Sequence, residues 1–434
     1  MMNKRMKCGM AAVAGALCLS LGMLAPTAAE EPLPVVSYGL SVLAADTDVA
    51  VSAPMGNEVV FSEDCFARGL NLSRVEYITV HSLPAVTAGE LLLGSSRIAV
   101  GQTVSGSNLA HMVFAAADDT VTHAAFTFTA NGSATPMVCN VYLTEVLNYT
   151  PTVSMAPELS LNVSTYRDHA AHGRLCGYDP DGDELIFEIV SYPQNGTLAL
   201  SDPNAGDYIY RPTAGYLGKD RFSYVVRDRY GNYSASATVN LRVTQQGTSI
   251  VYADMLDSAQ YNAALALTEA GVMSGTQVGN QYFFYPEKNV SRAEFLVMAM
   301  NAAGIEALPA CKTTVFADDD QIPPAMKSYV AAAYELGYIS GSLVDGELCF
   351  FPDDPITRAQ AAVMLSNIVG LCEVAVTPTF ADGSEIPVWA RESVYSLNAA
   401  GILVGNDGYI APTDALSRAD TAAMLAAAMQ YLNA

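Results

Sequence analysis

The chain has 434 residues, too many for one hydrophobic core and enough for several domains of ordinary size. Lys and Arg number 21 against 44 Asp and Glu, a formal net charge of −23. So acidic a chain excludes general nucleic-acid binding and repels anionic lipid, and an anionic partner has to be held at local cationic spots.

At the N-terminus Lys4, Arg5 and Lys7 precede an apolar stretch from Met10 to Leu24, followed by the small residues Thr27 and Ala29. This pattern predicts a secretory signal peptide over 1–29, cut after Ala29. Cys18 follows Leu17 rather than a small residue, so it does not read as a lipoprotein cysteine. No later run reaches the roughly 18 apolar residues of a span, so no membrane span is expected in the mature chain.

Residues 30–148 show short alternating runs around Ile78-Thr-Val80, Val100-Gly-Gln-Thr-Val104 and Phe126-Thr-Phe128, with a turn at Asn131-Gly132. They predict an antiparallel β-sandwich. Over 149–247 the period of two is clearer. Leu185, Phe187 and Ile189 alternate, as do Phe222, Tyr224 and Val226, and Val239, Leu241 and Val243. Turns at Asp181-Gly182, Asn195-Gly196 and Gly231-Asn232 punctuate a second sandwich. Asp179, Asp181 and Asp183 place three hard oxygen ligands within five residues. They read either as a calcium loop or as an acidic surface turn, and no glutamate completes an EF-hand.

From Asp179-Pro-Asp-Gly-Asp183 through Asn195-Gly, Tyr210-Arg-Pro212 and Gly218-Lys-Asp-Arg-Phe-Ser-Tyr224 to Arg227-Asp-Arg-Tyr-Gly231, the second sandwich resembles the bacterial cadherin-like, Ig-like repeat family. The resemblance implies an extracellular spacer or adhesive module, in some members with calcium. Residues 30–148 are loosely similar to a diverged copy without the acidic turn.

The C-terminal part is repetitive. Tyr252-Ala-Asp254, Phe316-Ala-Asp318 and Phe380-Ala-Asp382 recur every 64 residues. Each is followed by Gly-x-x-x-Gly, at Gly271 and Gly275, Gly337 and Gly341, and Gly401 and Gly405. A proline then stands six residues before an arginine: Pro286 and Arg292, Pro352 and Arg358, Pro412 and Arg418. The three copies delimit repeats over 250–308, 313–372 and 377–434, each read as two helices. Met326, Tyr329, Val330, Ala333 and Tyr334 form one apolar face, and Ala361, Met364, Leu365, Ile368 and Val369 another. A unit this small buries little alone, so three copies are expected to share a core.

Each arginine follows Ser or Thr and precedes Ala and then Glu294, Gln360 or Asp420, the pattern of a capping box. The box accounts for its two end positions but not for a cation at the first helical position, which opposes the helix dipole by about 0.3–1 kcal/mol. Two readings remain. The arginine and the helix N–H groups hold an anion, or the arginine bridges to Asp254, Asp318 or Asp382 of another repeat.

These landmarks resemble the S-layer homology (SLH) family over about 250–434. The resemblance implies an all-α, three-repeat, pseudo-threefold bundle whose grooves bind secondary cell wall polysaccharide, often pyruvylated. It places Arg292, Arg358 and Arg418 at the ligand-contacting arginine, Asp254, Asp318 and Asp382 at the leading acid, and Gly275, Gly341 and Gly405 at the turn. The family's tryptophan is present only as Trp389, with Ala259 and Ala325 in its place elsewhere, so the grooves are not equivalent.

The expected function is a secreted protein held on the wall, with the β-domains as spacer, adhesive or lattice-associated modules and partners that include self-association or an adhesion target. The alternative is a surface enzyme or enzyme-complex subunit acting on glycans or peptides through 30–247. No His-Glu-x-x-His, Gly-x-Ser-x-Gly or phosphate loop occurs, and Asp168-His-Ala-Ala-His172 reads as exposed polar residues near a turn rather than a metal site. The expectation is therefore no enzyme, no required cofactor, and calcium as the cation to test.

Overall fold

A computed structural model describes residues 49–153, 158–256, 258–305, 309–372, 380–405 and 408–433. The predicted signal peptide lies outside them. The chain divides into two compact units, Leu33–Gln245 and, in the C-terminal part, Gln246–Ala434.

The first unit holds two β-structures. In the first, strands β1 (Val49–Pro54), β2 (Val59–Val60), β3 (Tyr77–Ser82), β4 (Gly89–Leu93), β5 (Ser96–Arg97), β6 (Thr103–Ser105), β7 (Met112–Ala116), β8 (His123–Ala130) and β9 (Met137–Thr144) form two sheets, in orders β1-β9-β8-β3-β6 and β2-β7-β4-β5. β1 pairs parallel to β9, and the other pairings are antiparallel. Inward residues from both sheets build one core, among them Ile78, Val80, Leu91, Phe114, Phe126 and Val141. The helix Glu63–Gly69 closes it with Phe66, which packs edge-on to Phe128 at 5.0 Å. Its Ser62 cap accepts from the Cys65 amide, and the Cys65 thiol donates to the Ser62 carbonyl.

The second β-structure comprises β10 (Asn162–Tyr166), β11 (Ala171–Arg174), β12 (Ile186–Ser191), β13 (Gly196–Asp202), β14 (Asp207–Pro212), β15 (Gly218–Arg227) and β16 (Ala237–Thr244), in sheets β10-β16-β15-β12 and β11-β14-β13. The alternation read from the sequence faces inward: Phe222, Tyr224, Val226, Val239, Leu241 and Val243 are buried with Tyr208 and Tyr210. Tyr210 and Tyr224 bury their rings but keep partners for the hydroxyls, on Asp220 and on the Cys176 carbonyl.

The C-terminal unit is helical with a few strands, and so departs from the all-α expectation. Hairpins Thr276–Val278 with Gln281–Phe283, and Ser342–Val344 with Glu347–Cys349, sit inside the first and second repeats. The second hairpin turns through Asp345 (φ 52°) and Gly346 (φ 87°), the left-handed pair that matches strand twist in a two-residue loop. The helices are Tyr261–Glu269 and Arg292–Ala302, Lys327–Glu335 and Arg358–Val369, and Arg391–Ala399 and Arg418–Asn433. The second helix of each repeat packs against the first helix of the next, and the last packs on Tyr261–Glu269 of the first repeat.

Backbone hydrogen bonds close the same cycle. The amide of Ile356 donates to Val290, that of Leu416 to Ile356, and that of Val290 to Leu416, at 3.0, 2.9 and 3.0 Å. All three side chains are buried. The repeats therefore share one centre.

Candidate functional site: the three repeat seams

Each seam joins the start of one repeat's second helix to a turn in another repeat. The turn begins from the leading acid. Asp318 accepts from the amides of Phe350 (2.9 Å) and Phe351 (2.6 Å), and Asp382 from Ile410 (2.9 Å) and Ala411 (2.6 Å). Asp254 does the same for Phe284 (2.9 Å) and Tyr285 (2.7 Å). These two bonds hold the second residue left-handed, with φ 58° at Tyr285, 57° at Phe351 and 49° at Ala411, each just before the repeat's proline. A non-glycine residue there costs about 1–2 kcal/mol, which the charge-assisted bonds to a carboxylate offset.

The strained turn aims a carbonyl outward, and the arginine of another repeat takes it. Nε of Arg292 donates to the Phe350 carbonyl at 3.0 Å, Nε of Arg358 to Ile410 at 2.7 Å, and Nε of Arg418 to Phe284 at 2.8 Å. Two guanidinium groups also lie over rings, Arg292 at 5.4 Å from Phe350 and Arg418 at 4.6 Å from Phe284. Burial lowers the pKa of both groups, against the nearby charges of Asp354 and Asp318 for Arg292, and of Glu294, Tyr252 and Asp254 for Arg418.

Two expectations need correction. The helix N–H groups are not open to an anion. The amides of Arg292 and Ala293 donate to the Asp354 and Pro352 carbonyls, those of Arg358 and Ala359 to Asp414 and Pro412, and those of Arg418 and Ala419 to Lys288 and Pro286. The third amide is satisfied within the capping box. Nor do the arginines pair directly with Asp254, Asp318 or Asp382, whose oxygens serve the turn. Among the described residues the one arginine ion pair in a seam joins Arg358 to Asp420, at 4.0 Å. Cation and acid act on the same turn, one from each side.

The capping boxes differ as side-chain length dictates. Glu294 and Gln360 reach back to the cap amide at 3.0 and 3.2 Å. Asp420 is one methylene shorter and meets the Ser417 hydroxyl at 2.7 Å instead. Gly275 and Gly341 serve packing: a Cβ would lie 2.3 Å from the Tyr252 ring at the first and 2.6 Å from the Phe316 ring at the second. At Gly405 it would lie 2.9 Å from the Tyr409 carbonyl. Trp389 stands 60% exposed in the 3-10 turn Val388–Ala390.

A second cluster lies where the two β-structures meet. Carboxylate oxygens of Asp179, Asp183 and Asp228 lie within 4.8 Å of one another. Asp228 was not anticipated, because it stands far from the acidic triplet in sequence, and it replaces Asp181. Asp181 turns away to accept from the Tyr149 amide at 2.6 Å. Asp228 accepts from the Asn148 side chain at 2.7 Å and from the Tyr230 and Asn232 amides. Asp179 uses Oδ1 for the amides of Asp181 and Asp183, but its buried Oδ2 has no hydrogen-bond partner. Burial, then the Asp179 charge, raise the pKa of Asp183, with Arg229 opposing. Tyr142 and Tyr230 meet edge-on at 5.3 Å, and a Cβ on Gly231 would fall 2.0 Å from the Ala50 carbonyl. A cavity of about 580 Å³ opens beside them, lined by His123, Tyr142, Asp181, Asp183, Arg229 and Tyr230 among others.

Comparison with known proteins agrees with this division. The family model for the S-layer homology domain matches 251–296, 315–362 and 379–422, and that for the bacterial Ig domain matches 148–244. An endoglucanase of Bacillus sp. (strain KSM-635) is 32% identical over 167 residues, 37% of this chain and 16% of that protein. A surface-layer 125 kDa protein of Lysinibacillus sphaericus is 31% identical over 113 residues, 26% of this chain and 9% of that protein. The chain thus spans a sixth or less of the length of these relatives. Fibronectin(III)-like modules of Clostridium thermocellum CbhA align at 18% identity over 45% of this chain and 90% of theirs, with a TM-score of 0.21. No described helix is long and apolar enough to cross a membrane. The chain carries a bacterial Ig domain followed by three S-layer homology domains.

Proposed function

We propose that this protein is exported by its N-terminal signal and held non-covalently on the bacterial cell wall by its three S-layer homology domains. They grip secondary cell wall polysaccharide in a pseudo-threefold arrangement of seams. The carrying observation is the threefold recurrence of one device, an arginine locked against a turn that an aspartate holds, in a chain of net charge −23. A cation fixed at each seam in so acidic a protein suits an anionic polymer, and pyruvyl ketals supply carboxylates of the right kind. The β-sandwiches serve as spacer or adhesive modules, with self-association or an adhesion target as their partner. Co-sedimentation of the full-length chain with purified sacculi tests this. Binding that soluble wall polysaccharide competes away is expected, and binding indifferent to that competitor contradicts it.

A second reading concerns calcium, and the buried, unpartnered Oδ2 of Asp179 favours it. Three carboxylates this close repel one another, and the ion pair in reach is Arg229, 3.8 Å from Asp183. Their hard oxygens fit Ca²⁺. Asp179, Asp183 and Asp228 would hold the ion, which would add positive charge among the three carboxylates. Asn148 on Asp228 ties the connecting segment to this cluster, and Tyr149 on Asp181 ties it to the acidic turn beside the cluster. A cation there would stiffen the joint between the sandwiches. Isothermal titration of the full-length chain with CaCl₂ tests it, since a chain with Asp228→Asn should lose the saturable heat.

A further inference from the structure

The cavity of about 580 Å³ where the two β-structures meet has the size of a small-ligand site, which runs from about 300 to 1,000 Å³. Three rings line it. His123 and Tyr142 stand opposite each other on the paired strands β8 and β9, with centroids 5.0 Å apart, and Tyr142 meets Tyr230 edge-on. His123 is exposed, and the two tyrosines are half-buried. Carboxylates with bonds to spare line it too. Asp181 uses Oδ2 for the Tyr149 amide, and among the described residues its Oδ1 accepts no hydrogen bond. Asp183 accepts none either, and its nearest cation is Arg229 at 3.8 Å. The charges on the cavity are thus Glu145, Asp181 and Asp183 against Arg229, and Asp179 and Asp228 share one cluster with Asp183.

We infer that this cavity binds a neutral glycan. A sugar ring has an apolar C–H face that packs on an aromatic ring, and hydroxyls that donate to carboxylates, and the cavity supplies both partners. Its excess of acid repels an anionic sugar, so the ligand of the seams is the wrong one here. An ammonium is also poorly served. The Arg229 guanidinium lies 4.7 Å from the Tyr230 centroid and donates to the Tyr230 hydroxyl, so that ring already faces a cation. The inference rests on the adhesive reading of the β-sandwiches and deepens it by naming the chemistry of the partner.

The test applies the labelled full-length chain to an array of neutral, acidic and amine-bearing glycans, with CaCl₂ present throughout. Binding to neutral glycans is expected. Tyr142→Ala should weaken it by about tenfold or more, and Asp181→Asn by about tenfold, while both variants still sediment with sacculi. Signal confined to acidic or amine-bearing glycans overturns the inference, as does no signal at all. Sedimentation velocity reads self-association separately. A chain that self-associates but binds no neutral glycan fails this inference and leaves the adhesive reading standing. Hydrogen exchange of the wild-type chain keeps the site decidable if a variant misfolds. The best array ligand should protect the strand β9 and the segment around Arg229 and Tyr230. Protection confined to the C-terminal unit overturns the assignment.

Discussion

The amide of Val290 donates to the carbonyl of Leu416 at 3.0 Å, so the first repeat is bonded to the last. With Leu416 on Ile356 and Ile356 on Val290, no repeat has a free inner edge. Damage at the centre should be felt in all three. Ile356→Ala removes a fully buried side chain and should cost about 2–4 kcal/mol. Hydrogen exchange should then rise together in the helices Arg292–Ala302, Arg358–Val369 and Arg418–Asn433. Loss confined to the second repeat would contradict a shared core.

Asp318 holds two amides of a turn that its own residues disfavour. Asp318→Ala leaves both without a partner and should destabilise the chain by roughly 2–4 kcal/mol in urea unfolding. Phe351→Gly should partly compensate in the double variant, because glycine adopts a positive φ without penalty. A double variant no more stable than Asp318→Ala would show that the aspartate is not acting on the turn.

Asp319 should mark an acid-sensitive point in the second repeat. The Lys327 ammonium, 2.5 Å from Oδ2, and then the Thr314 amide pull its carboxyl down to about 2. A depressed folded-state value contributes stability that is present above the ordinary carboxylate range and is lost as pH falls through about 2. The chain with Asp319→Asn should therefore show a flatter fall in Tm between about pH 4 and 2. An unchanged slope would contradict the assignment.

Much of this architecture is legible in sequence. The aspartates, glycines, prolines and arginines mark the repeats because each answers a local demand: a held turn, a close ring contact, a helix entry. The alternation of Phe222, Tyr224 and Val226 marks an inward face for the same reason. What the pattern hides is non-local. Nothing near Arg292 says that its Nε will reach a carbonyl 58 residues away. Left-handed backbone at Tyr285, Phe351 and Ala411 is invisible because none is glycine. Asp228 escaped notice because strand β15 carries it back to the acidic turn, whereas spacing alone favoured Asp181.

Calcium should raise the thermal stability of the β-region in the full-length chain, and the residue dependence discriminates. Asp228→Asn and Asp179→Asn should abolish a shift of several degrees at millimolar Ca²⁺, and Asp181→Asn should retain most of it. Differential scanning calorimetry of the three variants checks this. Loss in Asp181→Asn with retention in Asp228→Asn would restore the linear triplet as the ligand set.

Whether the seams hold the wall polymer is decided by calorimetric titration of the full-length chain with purified wall polysaccharide before and after removal of its pyruvyl ketals. Saturable binding to the intact polymer is expected, weakened by about tenfold or more once the carboxylates are gone. The absence of saturable binding to either polymer would contradict it.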